Sequence, residues 1–376
     1  MPPCSSLPWR IAAILVFFLA SPVATVHAQQ APAGATLPAE QQPSLTVDRD
    51  PVPSPDAATA PPAAAQPGAA QAGAGQQTEQ TGQVARGRNG QFTLTQDVEE
   101  VILNATVLDD HQHLVTNLQK DDFKVFEDGT PQTIVAFQQQ DLPVSLGILV
   151  DNSGSMRMKR QAVNLSALDL VRASNPQDET FIVNFADEAY IDQDFTADLN
   201  KLRDGLGHID SKGGTALYDA VIASADYMAK NAKKAKQVIL IITDGEDNAS
   251  GTSLEETVRR IQDLQGPVVY SIGLLFGDEG GGRESRRAKR ALQLLSDNTG
   301  GLAFFPKSLN QVDEIAGEVA HDIRNQYTIG YHSTRPASEG GYRTVHVEAR
   351  AKGYGKLTVR TRPGYFPKPR SKAAAK

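Results

Sequence analysis

The chain alternates short apolar runs with segments of helical periodicity. Val144 to Val150 and Lys236 to Ile242 are almost continuously apolar, as expected of strands buried on both faces of a parallel sheet. Thr180 to Phe185, Pro267 to Gly273 and Leu302 to Phe305 repeat the pattern, and Ala189 to Asp194 reads as an antiparallel edge strand. Lys159 to Ala173, Leu199 to Ile209, Ala216 to Ala229, Ser253 to Leu264, Arg286 to Asn298 and Ser308 to Ile323 read as helices. Strand and helix alternating in this order predict a doubly wound, mostly parallel α/β sheet.

On either side of that region the pattern changes to short strands. Val98 to Leu108, Phe123 to Phe126 and Gln132 to Gln138 come before it, with Glu127-Asp-Gly129 as a hairpin turn. Gln326 to Tyr331, Tyr342 to Glu348 and Lys356 to Arg360 come after it. Neither group is large enough to hold a good core alone, so the two are expected to pack together as one β-sandwich flanking the α/β layer. The predicted organisation is a signal peptide over 1–28, a disordered Ala/Pro/Gln/Gly-rich linker over 29–89 and an N-terminal strand segment over 90–141. An α/β domain over 142–323, C-terminal strands over 324–367 and a basic tail over 368–376 follow.

The chemistry concentrates where the buried strands end. Val150 runs into Asp151, with Ser153 and Ser155 spaced behind it, and Ile242 delivers Thr243-Asp244-Gly245 to the same edge. Gly213-Gly214-Thr215 supplies a further hydroxyl on a flexible turn just before a helix. Open α/β sheets bind ligands in the crevice beyond the carboxyl ends of their strands. Carboxylates and hydroxyls are oxygen ligands for a hard cation. The bland alternative is that these residues only cap helices and shape turns. Glu246 and Asp247 read as a solvated loop, and Asp219 as a structural hydrogen-bonding residue. The Gly-rich stretch 277–290 lacks the spacing of a phosphate-binding P-loop.

Asp151-x-Ser153-x-Ser155, Thr215 and Asp244 together resemble the von Willebrand factor type A domain with its metal-ion-dependent adhesion site. The resemblance implies a non-enzymatic binding module. Asp151, Ser153, Ser155, Thr215 and Asp244 would hold Mg2+, with Mn2+ a possible replacement and Ca2+ less suited, and the ion would take a carboxylate from a protein partner. Leu118 to Gly129, Asn325 to Tyr331 and Arg362 to Phe366 are similar, more narrowly, to exported proteins abundant in acidobacteria whose A domain carries such flanks.

Compartment and partners are constrained by the rest of the chain. Arg10 precedes the apolar core Ile11 to Ala20 and the small-residue site Val26-His27-Ala28, which reads as a cleaved secretory signal leading to the periplasm or the medium. The one cysteine, Cys4, lies in that segment, so the mature chain is expected to lack disulfides and thiol chemistry. No later segment has the length and apolarity of a transmembrane helix. A net charge of -7 over 376 residues leaves no footprint for nucleic acid. Two other readings compete: a structural envelope protein with a stabilising metal, and a metal-dependent hydrolase. The hydrolase lacks a Gly-x-Ser-x-Gly elbow, a His-Glu-x-x-His helix and a paired acid and base.

Overall fold

The computed structural model describes residues 46–47, 83–86, 92–95, 100–139, 141–208, 211–276 and 282–368. The segment read as a signal peptide, most of the stretch read as a linker, residues 277–281 and the residues beyond Lys368 lie outside the described residues. Within the stretch read as a linker, two described pieces are strands: β1 (Thr46–Val47), and β2 (Gln83–Arg86), which pairs antiparallel with β3 (Phe92–Thr95).

Four further strands come before β8 (Val144–Asp151): β4 (Glu100–Leu108), β5 (Phe123–Glu127), β6 (Thr130–Gln132) and β7 (Ile134–Gln138). Asp128 and Gly129, both at positive φ (46° and 77°), form the tight turn between β5 and β6, as an Asp-Gly pair favours. The hairpin read from sequence is therefore shorter than expected. Only Thr130–Gln132 returns along β5, while β7 leaves for a different sheet.

The α/β layer then runs β8 (Val144–Asp151), α1 (Arg160–Ala173), β9 (Glu179–Phe185), β10 (Ala189–Thr196), α2 (Leu199–Leu206), α3 (Leu217–Asn231) and β11 (Lys236–Thr243). It continues through α4 (Leu254–Asp263), β12 (Val268–Gly273), α5 (Arg283–Asp297), β13 (Ala303–Phe304) and α6 (Val312–Arg324). The sheet order is β1-β10-β9-β8-β11-β12-β13. Every pairing is parallel except β10 with β9. β10 is antiparallel as expected but carries β1 along Tyr190 and Ile191, so part of its outer side is paired.

β8 is buried along its whole length because helices cover both faces. Leu146, Ile148 and Val150 pack with α1 and α6, whereas Leu149 packs toward α3. Gly147 is the exception that proves tight packing, since a Cβ there would lie 2.5 Å from the Phe181 ring. Among the helix starts, Ser253 and Glu256 form a reciprocal capping box ahead of α4, a local signal that fixes where that helix begins.

The chain ends in β14 (Tyr327–His332), β15 (Arg343–Ala349), β16 (Thr358–Arg360) and β17 (Gly364–Tyr365). They join the early strands in two sheets of order β16-β4-β14-β7 and β17-β15-β5-β6. Both sheets bury one alternating face in a common core that includes Leu103, Ala105, Phe123, Val125, Tyr327, Ile329 and Val347. The expected sandwich of N- and C-terminal strands is thus present. At its junction with the α/β layer, buried Asp322 accepts hydrogen bonds from Thr106 Oγ1 (2.8 Å), the Tyr270 hydroxyl (2.8 Å) and Arg360 Nη2 (2.5 Å). Among the described residues no helix is long and apolar enough to cross a membrane.

Candidate functional site

β8 and β11 are neighbours from which the sheet is built outward in opposite directions, making their carboxyl ends the topological switch point where such sheets bind ligands. Asp151, the last residue of β8, is fully buried. Its Oδ1 accepts the Ser153 amide (2.8 Å) and its Oδ2 accepts Oγ1 of Thr243, the last residue of β11 (2.5 Å). One carboxylate therefore ties the two strand ends together. Burial raises the Asp151 pKa above the ordinary carboxylate value, the Ser153 and Thr243 hydrogen bonds oppose the rise, and the charge of Asp244 adds to it.

After Asp151 the chain turns into a short 3-10 segment, Gly154–Met158, which presents the two serines side by side. Ser153 Oγ lies 3.1 Å from Ser155 Oγ, and Ser155 Oγ donates to Asp244 Oδ1 at 2.7 Å. Asp244 Oδ2 accepts from Lys159 Nζ at 2.6 Å. Below this row, the buried guanidinium of Arg160 donates to Asn184 Oδ1 at 2.8 Å. Burial pushes its pKa down to about 10 against the attraction of Asp151 and Asp192.

Thr215 stands on the adjoining loop and is buried. Its amide donates to Asn248 Oδ1 (2.9 Å), and its carbonyl accepts from the amides of Asn248 (3.0 Å) and Ala249 (3.3 Å). The preceding glycines let the loop approach this closely. Gly213 has φ +78°, and a Cβ there would stand 2.2 Å from Asp187 Oδ2. A Cβ on Gly245, next to Asp244, would lie 3.6 Å from Thr215 Oγ1, which sets the threonine hydroxyl beside the residue that follows the second aspartate. The structure thus joins Asp151, Ser153, Ser155 and Asp244 in one chain of oxygens and places Thr215 at its flank.

A divalent cation fits this donor set. For an octahedral ion with ligands at about 2.1 Å, adjacent ligand oxygens stand roughly 3.0 Å apart, close to the Ser153–Ser155 separation of 3.1 Å. Among the described residues no group of three or more His, Cys, Asp or Glu is placed to hold a metal, so a cation here depends on the hydroxyls. Beside the row opens a cleft of about 570 Å3 lined by Asn152, Asp187, Glu188, Asp192, His208 and Lys212 among others.

Several residues around the site escape the sequence reading. Thr243, Lys159, Arg160, Asn248 and Asp187 act only through contacts with distant segments; Thr243 alone has a local signal, being the hydroxyl immediately before Asp244. Asp247 is not part of a solvated loop. It is half-buried, and its carboxylate accepts the amide of Tyr218 at 3.0 Å in the first turn of α3 and the Ser250 hydroxyl at 2.6 Å. Glu246 pairs with Arg287 at 3.2 Å. Asp219 is the structural residue expected, accepting from Gly251 and Thr252.

A parallel sheet wound in both directions, with oxygens gathered at its switch point, defines an α/β ligand-binding domain. The family model for the von Willebrand factor type A domain matches residues 146–246, and the chain contains such a domain. No curated protein matches the chain. Among solved structures it is similar to von Willebrand factor type A from Catenulispora acidiphila, at 13% identity over 73% of this chain and 74% of that one, TM-score 0.42. It is also similar to the vWF domain of the type V pili tip protein Mfa5 from Porphyromonas gingivalis, at 12% identity, 49% and 97% coverage and TM-score 0.39. A third is proximal thread matrix protein 1 from the mussel byssus with a zinc-occupied MIDAS motif, at 16% identity, 53% and 50% coverage and TM-score 0.41.

Proposed function

We propose that this chain is an exported, non-enzymatic binding module that engages a carboxylate on a protein partner through a divalent cation. Asp151, Ser153, Ser155, Thr215 and Asp244 are the residues that would hold the ion, Mg2+ by preference and Mn2+ as a replacement. The observation that carries the reading is the row of oxygens from Thr243 through Asp151 and the two serines to Asp244 at the switch point. When bound, a hard cation would supply an electrophilic position for an incoming carboxylate oxygen.

The protein's own residues explain why the ion would bridge instead of hydrolyse. Both aspartates are already engaged, Asp151 by Ser153 and Thr243 and Asp244 by Ser155 and Lys159. Neither is poised to take a proton from water. The adjoining cleft leaves room for the chain segment that carries the partner's acid. Export is supported by Arg10, the apolar core Ile11 to Ala20 and the small-residue site ending at Ala28.

The test is a pull-down from envelope extract in Mg2+ and in EDTA, with the parent chain and with Asp151→Ala. Capture that needs both Mg2+ and Asp151 supports the reading. Identical capture under all four conditions overturns it and favours a structural envelope protein.

A further inference from the structure

Two consecutive residues, Lys159 and Arg160, bring two positive charges to the two aspartates of the site. The Asp244 side chain is 1% exposed, and the Lys159 side chain whose ammonium sits on its Oδ2 is 21% exposed. Lys159 Nζ also stands 5.5 Å from the centre of the Phe276 ring, a second contact that holds a long flexible side chain over the carboxylate. Arg160, 1% exposed, is fixed by Asn184 and by the carbonyls of Leu206 and His208. Unlike Lys159 it has no path to solvent.

The charges of Asp151 and Asp244 are therefore matched by those of Lys159 and Arg160, while Asp192, the other carboxylate that attracts Arg160, adds one more negative charge nearby. Here the ammonium occupies one oxygen of Asp244 while Ser155 occupies the other.

We propose that Lys159 is an internal counter-cation to Asp244, so that a divalent ion alone binds weakly and binds tightly only together with a carboxylate from the partner. This rests on the cation reading of the site. An entering ion places two positive charges beside Lys159, and at a few ångströms in a half-buried setting that repulsion is substantial. A carboxylate arriving with the ion returns a negative charge. Ion and partner thereby become thermodynamically coupled, each tightening the other by the same factor. Lys159 is a positioning residue: it sets the charge and orientation of Asp244 and touches neither the ion nor the partner.

The test is titration of the full chain with MnCl2, followed through the electron paramagnetic resonance signal of free Mn2+. Lys159→Met should tighten Mn2+ binding by about tenfold or more, and Lys159→Arg, which keeps the charge, should bind as weakly as the parent. Sodium acetate, compared with sodium chloride of equal ionic strength, should tighten Mn2+ binding more in the parent than in Lys159→Met. Thermal unfolding in EDTA checks that each variant folds, and Lys159→Gln, whose amide can still donate to Asp244, replaces the methionine variant if that one does not. Equal Mn2+ affinity in the parent and the neutral variant, with binding lost in Asp151→Ala, overturns the counter-cation while leaving the metal site standing. Absence of Mn2+ binding in parent and variants alike overturns the metal site and the counter-cation with it.

Discussion

Asp151 has no exposure to water, and both of its oxygens are satisfied within the protein. The less obvious partner is Thr243, whose hydroxyl closes the link between β8 and β11. Thr243→Val keeps the shape and removes that donor. It should destabilise the metal-free protein by about 1–3 kcal/mol, the cost of leaving a buried acceptor without its partner, as read by urea unfolding in EDTA. A change within error would show that the link contributes nothing. Thr215 makes the opposite prediction. Its backbone is held by Asn248 and Ala249 while its hydroxyl faces Gly245, the residue after Asp244. Thr215→Ala should therefore leave unfolding nearly unchanged and weaken partner binding in saturating Mg2+. Unchanged affinity in the folded variant would remove Thr215 from the site. Asp151, Ser153 and Ser155 were legible in the sequence because their spacing within one turn carries the pattern. Lys159 and Asn248 were not, because each acquires its role from a residue on another segment.

At the level of elements, the apolar runs predicted their strands to within a residue or two, since a strand covered on both faces has little choice of side chain. Helix ends were less legible: α2 stops at Leu206, short of the expected Ile209, and α5 begins at Arg283, ahead of the expected Arg286. β11 opens on a residue that its pattern did not flag. Lys236 is 6% exposed, its ammonium donates to the Ile323 carbonyl, and burial pushes its pKa down to about 8 from 10.5, against the pull of Asp322, Asp141 and Asp178. Between those two values the unfolded chain holds a proton that the folded protein has released. The contribution of Lys236 to stability therefore rises with pH from about 8 to about 10.5. Over that window the parent should gain on the order of 3 kcal/mol relative to Lys236→Met, since other groups titrating there are common to both. Parallel stability curves for the two proteins across this range would show that the lysine is not held deprotonated.

Taken whole, the molecule joins chain segments that lie far apart in sequence. β14 sits between β4 and β7 in one sandwich sheet, and β15 supplies the neighbour of β5 in the other. Deleting Gln326 to Phe366 should expose the strands of 100–138 along with their apolar face, so limited proteolysis should cut there in the truncated chain and not in the parent. Undiminished resistance would mean that the early strands hold together unaided. The sharing of strands was legible because each group was too small for a core of its own. The register was not, because it depends on pairings such as Gln138 with Thr328. That pair carries a kinetic consequence. All of the α/β layer from β8 to α6, everything but β1, lies between two strand positions that face each other across one antiparallel ladder, where paired Cα atoms are about 5 Å apart. In the unfolded chain those positions are the ends of a very long loop, and closing it costs entropy that no local contact repays. The α/β layer, built from neighbouring βα units, should fold first and deliver β7 and β14 to each other already aligned. Pulse-labelled hydrogen exchange during refolding should protect β8 and β11 before the β14–β4 ladder. A sandwich protected first would reverse that order, while simultaneous protection would make the whole chain a single cooperative unit.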